Sequence, residues 1–283
     1  MKIAMQGVSG AFHEIAIREY FKGYQYQVVE CSTFNELFDT LQDGRSNYAM
    51  MAIDNSLVGS ILPNYTLLRE SGLKILGEVY LRVEQHLLAM PGQPLEAIKK
   101  IHSHPMAIQQ CREFLTPLRR KGVLIVDAED TALSAKRISE EGMKKHAAIA
   151  SRLAAKLYHL DVLAEGIETN KKNFTRFLII SSKENYQHHK IGKQINKSSL
   201  YFLLPHEHGK LSEVLSVLSF YNINLTKIQS LPIVGRDWEY LFYVDLVFDD
   251  YNKYRQSLDA IRPLLGEMKI IGEYQKGAIA HEN

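Results

Sequence analysis

Tyr48-Ala49-Met50-Met51-Ala52-Ile53 is six apolar residues in a row, followed at once by the polar turn Asp54-Asn55-Ser56-Leu57-Val58-Gly59-Ser60. An unbroken apolar run of this length is what a strand needs when helices cover both faces of its sheet. The chain before it supports that reading. Residues 2–5 predict a short strand, and Gly7-Val8-Ser9-Gly10 a glycine-bounded turn. Residues 12–21 predict a helix through Phe12, Ala16 and Tyr20. A second strand is expected over 26–31. Ser32 or Thr33 then caps a helix through Phe34, Leu37, Phe38 and Leu41. Strand–helix alternation of this kind argues for an α/β layer fold.

Residues 73–80 and 86–90 read as strand-rich crossing segments, after which the alternation starts again. The pattern predicts a short helix at 97–100, a strand at 101–104 and a helix at 107–115. Beyond these come a strand at 123–126, a helix to 141 capped by Asp130 or Thr131, a strand at 147–150 and a helix to 158 capped by Ser151. A strand over 176–180 completes the region. Two α/β lobes joined by two crossings, near 74–85 and 160–175, would leave a cleft between them. Ligands in such folds sit at the carboxyl ends of strands.

The stretch 181–196 turns polar and reads as a linker. After it the order is strand (199–204), helix (210–221), strand (224–232), strand (240–248), helix (251–265), strand (268–274). A βαββαβ order in about 80 residues predicts a small ferredoxin-like domain. The expected division is therefore 1–181 as a catalytic unit, 182–196 as linker, 197–276 as a regulatory unit and 277–283 as tail.

With 46% hydrophobic and 23% charged residues in 283, the composition is that of an ordinary globular protein. The net charge of +2 and the lack of charge blocks give no reason to expect nucleic-acid or membrane-surface binding. Cys31 and Cys111 are far apart and match no metal spacing, so two buried thiols are expected. The opening Met1-Lys2-Ile3-Ala4-Met5 reads as a strand and not a signal peptide, and a cytoplasmic location is the expectation.

Five polar segments are candidates for ligand contact. Gly7–Phe12 is either a plain tight turn or, through exposed backbone N–H groups, a seat for a carboxylate or phosphate. Asn55 and Ser56 either cap the next helix or donate to a ligand. His104, before Pro105, either holds a loop or serves as an acid or base, with Gln109 and Cys111 read as packing. Thr131 and Ala132 begin a helix. The fifth is Asn173-Phe174-Thr175-Arg176-Phe177, where a hydroxyl, a fixed cation and two rings precede the apolar run Leu178-Ile179-Ile180. Burying Arg176 requires an anion beside it, supplied either by a ligand or by an Asp or Glu of the chain.

Read in order, these segments resemble the prephenate dehydratase family, with its C-terminal ACT domain, over nearly the whole chain. The most specific match is Asn173-Phe174-Thr175-Arg176-Phe177, where the family has its Thr-Arg-Phe signature. Gly7–Phe12, Asp54-Asn55-Ser56 with Gly59, His104-Pro105, Thr131-Ala132 and Ala148-Ile149-Ala150-Ser151 fall in family order. So do Asn224-Leu225-Thr226-Lys227-Ile228 and Phe242-Tyr243-Val244-Asp245 of the ACT part.

The resemblance implies a two-lobed catalytic fold like the type II periplasmic binding proteins. It also implies a cofactor-free carbon–oxygen lyase converting prephenate to phenylpyruvate. Thr175 would be the proton donor, with Arg176, Phe177, Asn55, Ser56, Thr131, Ala132 and Asn173 binding substrate. It further implies an L-phenylalanine effector site using Gly209, Leu211, Asn224, Leu225, Ser230 and Pro232, and a homodimer or a tetramer built through ACT domains. The chain departs from the family pattern at Ala11 and His13, where hydroxyl residues are usual, and at Asp54, where Glu is usual. Gln229-Ser230-Leu231-Pro232 stands for Glu-Ser-Arg-Pro, which leaves the effect of phenylalanine open. Rival readings are arogenate dehydratase and a non-catalytic amino-acid sensor; a sensor has no use for the Thr175 hydroxyl.

Overall fold

The computed structural model describes all residues except 183, 186–193, 206, 233–239 and 282–283, so most of the expected linker lies outside the described residues. The chain divides into two compact units. The first comprises Met1–Leu67, Val79–Leu178 and Ala278–Asn283, and the second Leu68–Glu78 and Ile179–Gly277.

The first unit holds two lobes. One is built on β1 (Lys2–Gln6), β2 (Gln27–Cys31), β3 (Tyr48–Asn55), β4 (Gly59–Ser60), the 79–82 part of β5 (Lys74–Arg82) and the 174–178 part of a later strand, β11 (Phe174–Ser181). Its strands lie in the order β5-β11-β3-β1-β2. β1 pairs in parallel with β2 and with β3. Helices α1 (Phe12–Tyr20), α2 (Phe34–Gln42) and α3 (Leu62–Ser71) accompany them. Met50, Met51 and Ile53 are completely buried, as the apolar run demanded. Thr33 caps α2, its hydroxyl accepting from Glu36 N–H at 3.1 Å.

The second lobe carries β6 (His86–Ala89), β7 (Lys100–Ser103), β8 (Leu124–Asp127), β9 (His146–Ala150) and β10 (Asp161–Ala164), in the order β10-β6-β9-β7-β8. Its helices are α4 (Pro105–Gln110), α5 (Arg112–Arg120), α6 (Thr131–Glu140) and α7 (Arg152–Leu157). The expected helix at 97–100 is instead a single 3-10 turn, Leu95–Ala97, because Lys100 is already paired into β7. The expected helix at 107–115 is two helices broken at Cys111. There Gln110 O accepts from Thr169 N–H (2.8 Å) and Glu113 N–H donates to Thr169 Oγ1 (3.3 Å), which takes bonds a continuous helix would use. The strand β10 and the helix α3 carry too few periodic apolar residues to be read from sequence.

In the second unit β12 (Lys197–Leu203), α8 (Lys210–Phe220), β13 (Asn224–Pro232), β14 (Tyr240–Val247), α9 (Tyr251–Ile261) and β15 (Glu267–Tyr274) give the expected βαββαβ order. The antiparallel sheet runs β13-β14-β12-β15, and Leu200, Phe202, Val214, Leu246 and Leu258 fill its core. A two-residue strand, β16 (Ile279–Ala280), returns to pair with β5 in the first unit. Among the described residues no helix is long and apolar enough to cross a membrane.

Candidate active site

β-strand geometry decides what the Asn173–Phe177 cluster can do. Successive side chains point to opposite faces. Thr175 and Phe177 therefore share one face, and Phe174 and Arg176 the other. Thr175 and Phe177 line a cleft of about 290 Å³ within the first unit. Its walls also include Phe12, His13, Asn55, His104, Gln110 and Thr131.

Arg176 is not part of that lining. It is buried behind the strand, 3.4 Å from Asp54 Oδ2, with its guanidinium 6.0 Å from the Tyr80 ring centroid. Asp54 is held in turn by the Tyr65 hydroxyl at 2.9 and 3.0 Å. The anion beside Arg176 is thus supplied by the chain, and the residue expected to contact substrate lies outside the cleft lining. Ala132 lies outside the lining as well: it is fully buried in the apolar core of the second lobe with Leu88, Ala135 and Ala148, while its neighbour Thr131 reaches the cleft.

Asn55 and Ser56 do not cap a helix. Asn55 ends β3 and faces Gly59 of β4 across a tight hairpin. Its side-chain oxygen accepts the Leu57 and Val58 backbone N–H groups at 2.9 and 3.1 Å, the bonding of an Asx turn. Its Nδ2 donates to Asn173 Oδ1 at 2.8 Å and to Thr175 Oγ1 at 3.0 Å. Ser56 is exposed; its hydroxyl donates to Lys172 O (3.0 Å) and accepts from Phe174 N–H (2.9 Å), so it ties the hairpin to β11 and does not line the cleft. Asn173 is completely buried beneath the cleft and donates to Gln110 Oε1 at 3.0 Å.

The glycine turn has a different task from anion binding. Ser9 N–H donates to Glu30 Oε1 (2.6 Å) and Gly10 N–H to Glu14 Oε2 (2.7 Å). The Ser9 and Gly10 carbonyls accept from the Tyr158 and Ser151 hydroxyls of the second lobe, at 2.5 and 2.6 Å. The turn therefore straps the lobes together. Gly10 has φ +90°, and an added Cβ would lie 2.9 Å from Ala154 Cα, so only glycine fits.

Sequence reasoning did not place the polar residues Gln110, Gln85 and His13 in the cleft. Gln110 sits one residue beyond the Gln109 that was noted; Gln109 is exposed, and helical phase turns Gln110 inward. Gln85 donates to Gln110 Oε1 at 3.3 Å and carries no local signal. His13 packs its ring edge-on to Phe177, with centroids 5.0 Å apart. Its Nε2 accepts from Ala52 N–H at 3.3 Å, and burial holds its pKa down to about 4, so it is neutral near pH 7. The ring of His104 caps α4, accepting from Met106 N–H at 3.2 Å. Asp130 caps α6, and burial raises its pKa against the pull of the Leu133 and Ala132 N–H groups. Among the described residues no cluster of His, Cys, Asp and Glu is arranged to hold a metal ion.

The proposed effector residues fall at two ends of one sheet. Register pairs Leu231 with Leu241 and Leu241 with Leu203, so Ser230 and Pro232 lie at the end where β12 stops. Gly209, in a left-handed conformation (φ +79°), and Leu211 follow that end and open α8. Asn224 and Leu225 begin β13 at the opposite end, roughly 20 Å away at 3.3 Å per residue.

A two-lobed α/β unit with a sheltered cleft and a hydroxyl held by a half-buried amide has the form of a site for a small polar ligand. Residues 3–185 match the family model described as prephenate dehydratase. Over 284 residues the chain is 34% identical to arogenate dehydratase/prephenate dehydratase 2, chloroplastic, of Arabidopsis thaliana, covering 97% of this chain and 72% of that protein. A solved structure described as GqqA, a novel type of quorum quenching acylases, is 32% identical with a TM-score of 0.84 and 98% of each chain covered. The prephenate dehydratase of Arthrobacter aurescens in complex with L-Phe is 25% identical with a TM-score of 0.82, covering 99% of this chain and 93% of that one. The chain belongs to the prephenate dehydratase family, a family of dehydratases within the lyases.

Proposed function

We propose that this chain converts prephenate to phenylpyruvate with loss of CO2 and water, without a cofactor, and that Thr175 is the proton donor. One observation carries the reading. Thr175 Oγ1 accepts from Asn55 Nδ2, so the single hydroxyl proton is directed elsewhere, and Thr175 lines the cleft.

The reaction balances as prephenate dianion plus one proton giving phenylpyruvate anion, CO2 and water. The electron pair of the C–CO2 bond moves into the ring as that bond breaks, and the C–O bond to the ring hydroxyl breaks with it. The departing hydroxide takes the Thr175 proton and leaves as water. The Asn55 amide bond to Oγ1 stabilises the oxyanion left behind until solvent returns a proton. A threonine hydroxyl is a weak acid, so the step depends on the dry environment that Phe177 helps to make. Thr131, Gln110 and His104 are suited to orient the two carboxylates. Arg176 and Asp54 hold β11 against β3 from behind, which keeps Thr175 in register. An ultraviolet assay for phenylpyruvate, with prephenate and arogenate run in parallel, tests the reading. Faster turnover of prephenate is expected. Preference for arogenate would move the assignment to its amino analogue, and inertness toward both would end it.

The acylase description of the 32% identical structure belongs to that protein. Acyl transfer by a hydroxyl needs a base accepting its proton. Here the partner of Thr175 is an amide donor, and His13 Nε2 and His104 Nδ1 both accept from backbone N–H groups. The site chemistry favours dehydration.

The division at 181, with the βαββαβ part as an ACT-type regulatory domain, is the accompanying proposal. L-phenylalanine would bind there near Gly209, Leu211, Ser230 and Pro232. Because Asn224 and Leu225 lie at the other sheet end, a complete site uses a second subunit, in a dimer or a tetramer of dimers. Calorimetry with millimolar phenylalanine should register binding; silence there would remove the effector.

A further inference from the structure

The polar layer beneath the cleft converges on one acceptor, the Gln110 side-chain oxygen. Backbone amides cannot turn round, so the Leu57 and Val58 N–H groups fix which end of the Asn55 carboxamide is oxygen. Asn55 Nδ2 therefore donates, to Asn173 Oδ1 and to Thr175 Oγ1. With its oxygen so engaged, Asn173 donates from Nδ2 to Gln110 Oε1. The same Gln110 oxygen takes Gln85 Nε2. Gln85 Oε1, at the end of the chain of bonds, is buried without a hydrogen-bond partner among the described residues. Asn55, Asn173 and Gln110 thus form a relay that passes donation in one direction, and Gln85 donates into the same Gln110 oxygen from the other side, so that oxygen is the fixed acceptor on which both arms meet.

We propose that Asn173, buried and outside the cleft lining, is a positioning residue that carries this polarity from β3 to α4. Its oxygen takes an Asn55 amide hydrogen and so steadies the carboxamide that the Leu57 and Val58 N–H groups have oriented, with Thr175 accepting there and retaining its proton for the ligand. It also keeps the oxygen of Gln110 engaged below, which leaves the Gln110 amino group for the cleft that this residue lines. The inference rests on the reading of Thr175 as proton donor.

Asn173→Asp tests it, because size and shape are kept while the donor toward Gln110 becomes an acceptor. Gln110 must then turn and offer its carbonyl oxygen to an anionic substrate. Protonating the buried carboxyl restores the donor. Phenylpyruvate formation from prephenate is measured for native protein and Asn173→Asp from pH 5.5 to 8.5. At pH 8 the variant should lose about 10-fold or more in kcat/KM, with the gap narrowing toward acid, since burial raises a carboxyl pKa. The titratable and charged groups on neighbouring elements are Arg82, His104, Cys111 and Glu168 with the Asp54–Arg176 pair. All are shared with the native protein, so the native-to-variant ratio isolates the new carboxyl. A ratio that stays flat across this range, or near-native kcat/KM at pH 8, overturns the proposal.

If Asn173→Asp does not fold, Asn55→Asp carries the same expectation, since it keeps the Leu57 and Val58 bonds and makes Thr175 donate to a carboxylate. Thermal unfolding gives a readout without substrate. Gln110→Glu preserves an acceptor where the relay needs one, so its midpoint should stay within about 3 °C of native and above that of Asn173→Asp. The reverse order overturns the relay. A native protein that makes no phenylpyruvate sinks the functional reading instead, and the unfolding comparison still decides the relay.

Discussion

Each unit buries a polar network, and the two are built on different physics. Beneath the cleft the network is neutral: Asn55, Asn173, Gln110, Gln85 and the Thr175 hydroxyl, with His13 kept uncharged nearby. In the second unit it is ionic. Lys197, 1% exposed, sits 2.9 and 2.8 Å from the two carboxylate oxygens of Glu78 and 3.8 Å from Asp245. Asp245 accepts from the Ser199 hydroxyl at 2.5 Å, and Ser199 meets the Tyr274 hydroxyl at 2.6 Å. Charges are balanced by proximity and tolerate many orientations. Carboxamides are balanced only in one orientation, so they carry direction. A directed network suits a site that must present a proton, and a balanced one suits a fold that must hold together.

Removing one charge should hit the second unit hardest. Lys197→Met leaves Glu78 and Asp245 buried without their cation and should cost about 3–5 kcal/mol in denaturant unfolding. Lys197→Met with Glu78→Leu should recover a large part of that. A single variant as stable as native would mean that the pair is not the keystone of this network.

In the first unit, acid should act through His13. Its pKa is about 4 folded against 6.5 free, so the unfolded chain binds more protons between these values. The stabilisation is complete above pH 6.5 and is lost as pH falls toward 4, on the order of 3 kcal/mol. His13→Gln should flatten that slope in unfolding curves. Equal slopes would show that His13 is already charged.

Thr175→Val should lower turnover by about 10²-fold or more with an unchanged unfolding midpoint. Near-normal turnover in the folded variant would take Thr175 out of the mechanism. The mildest change is Arg176→Lys, which keeps a cation beside Asp54 but loses the planar guanidinium against Tyr80. It should cost about 1 kcal/mol of stability with KM almost unchanged. A large rise in KM would bring Arg176 back as a substrate contact.

Much of the fold was legible because it rests on local pattern. The apolar run at Tyr48–Ile53 marked a strand covered on both faces, and Thr33, Asp130 and Ser151 marked helix starts that the side-chain caps bear out. Where a pattern failed, a distant group had intervened, as Thr169 does at the Cys111 break.

By itself the chain determined its α/β alternation, the βαββαβ second unit and the presence of a Thr–Arg pair at a strand start, since these depend on periodicity and neighbouring residues. Only the tertiary structure decided that the pair splits. Strand alternation turns Thr175 to the cleft and Arg176 to Asp54, and the partners that settle each lie about 120 residues away, at Asn55 and Asp54. Hydrogen bonds of that range leave no trace in local sequence, because their geometry exists only once the strands are side by side.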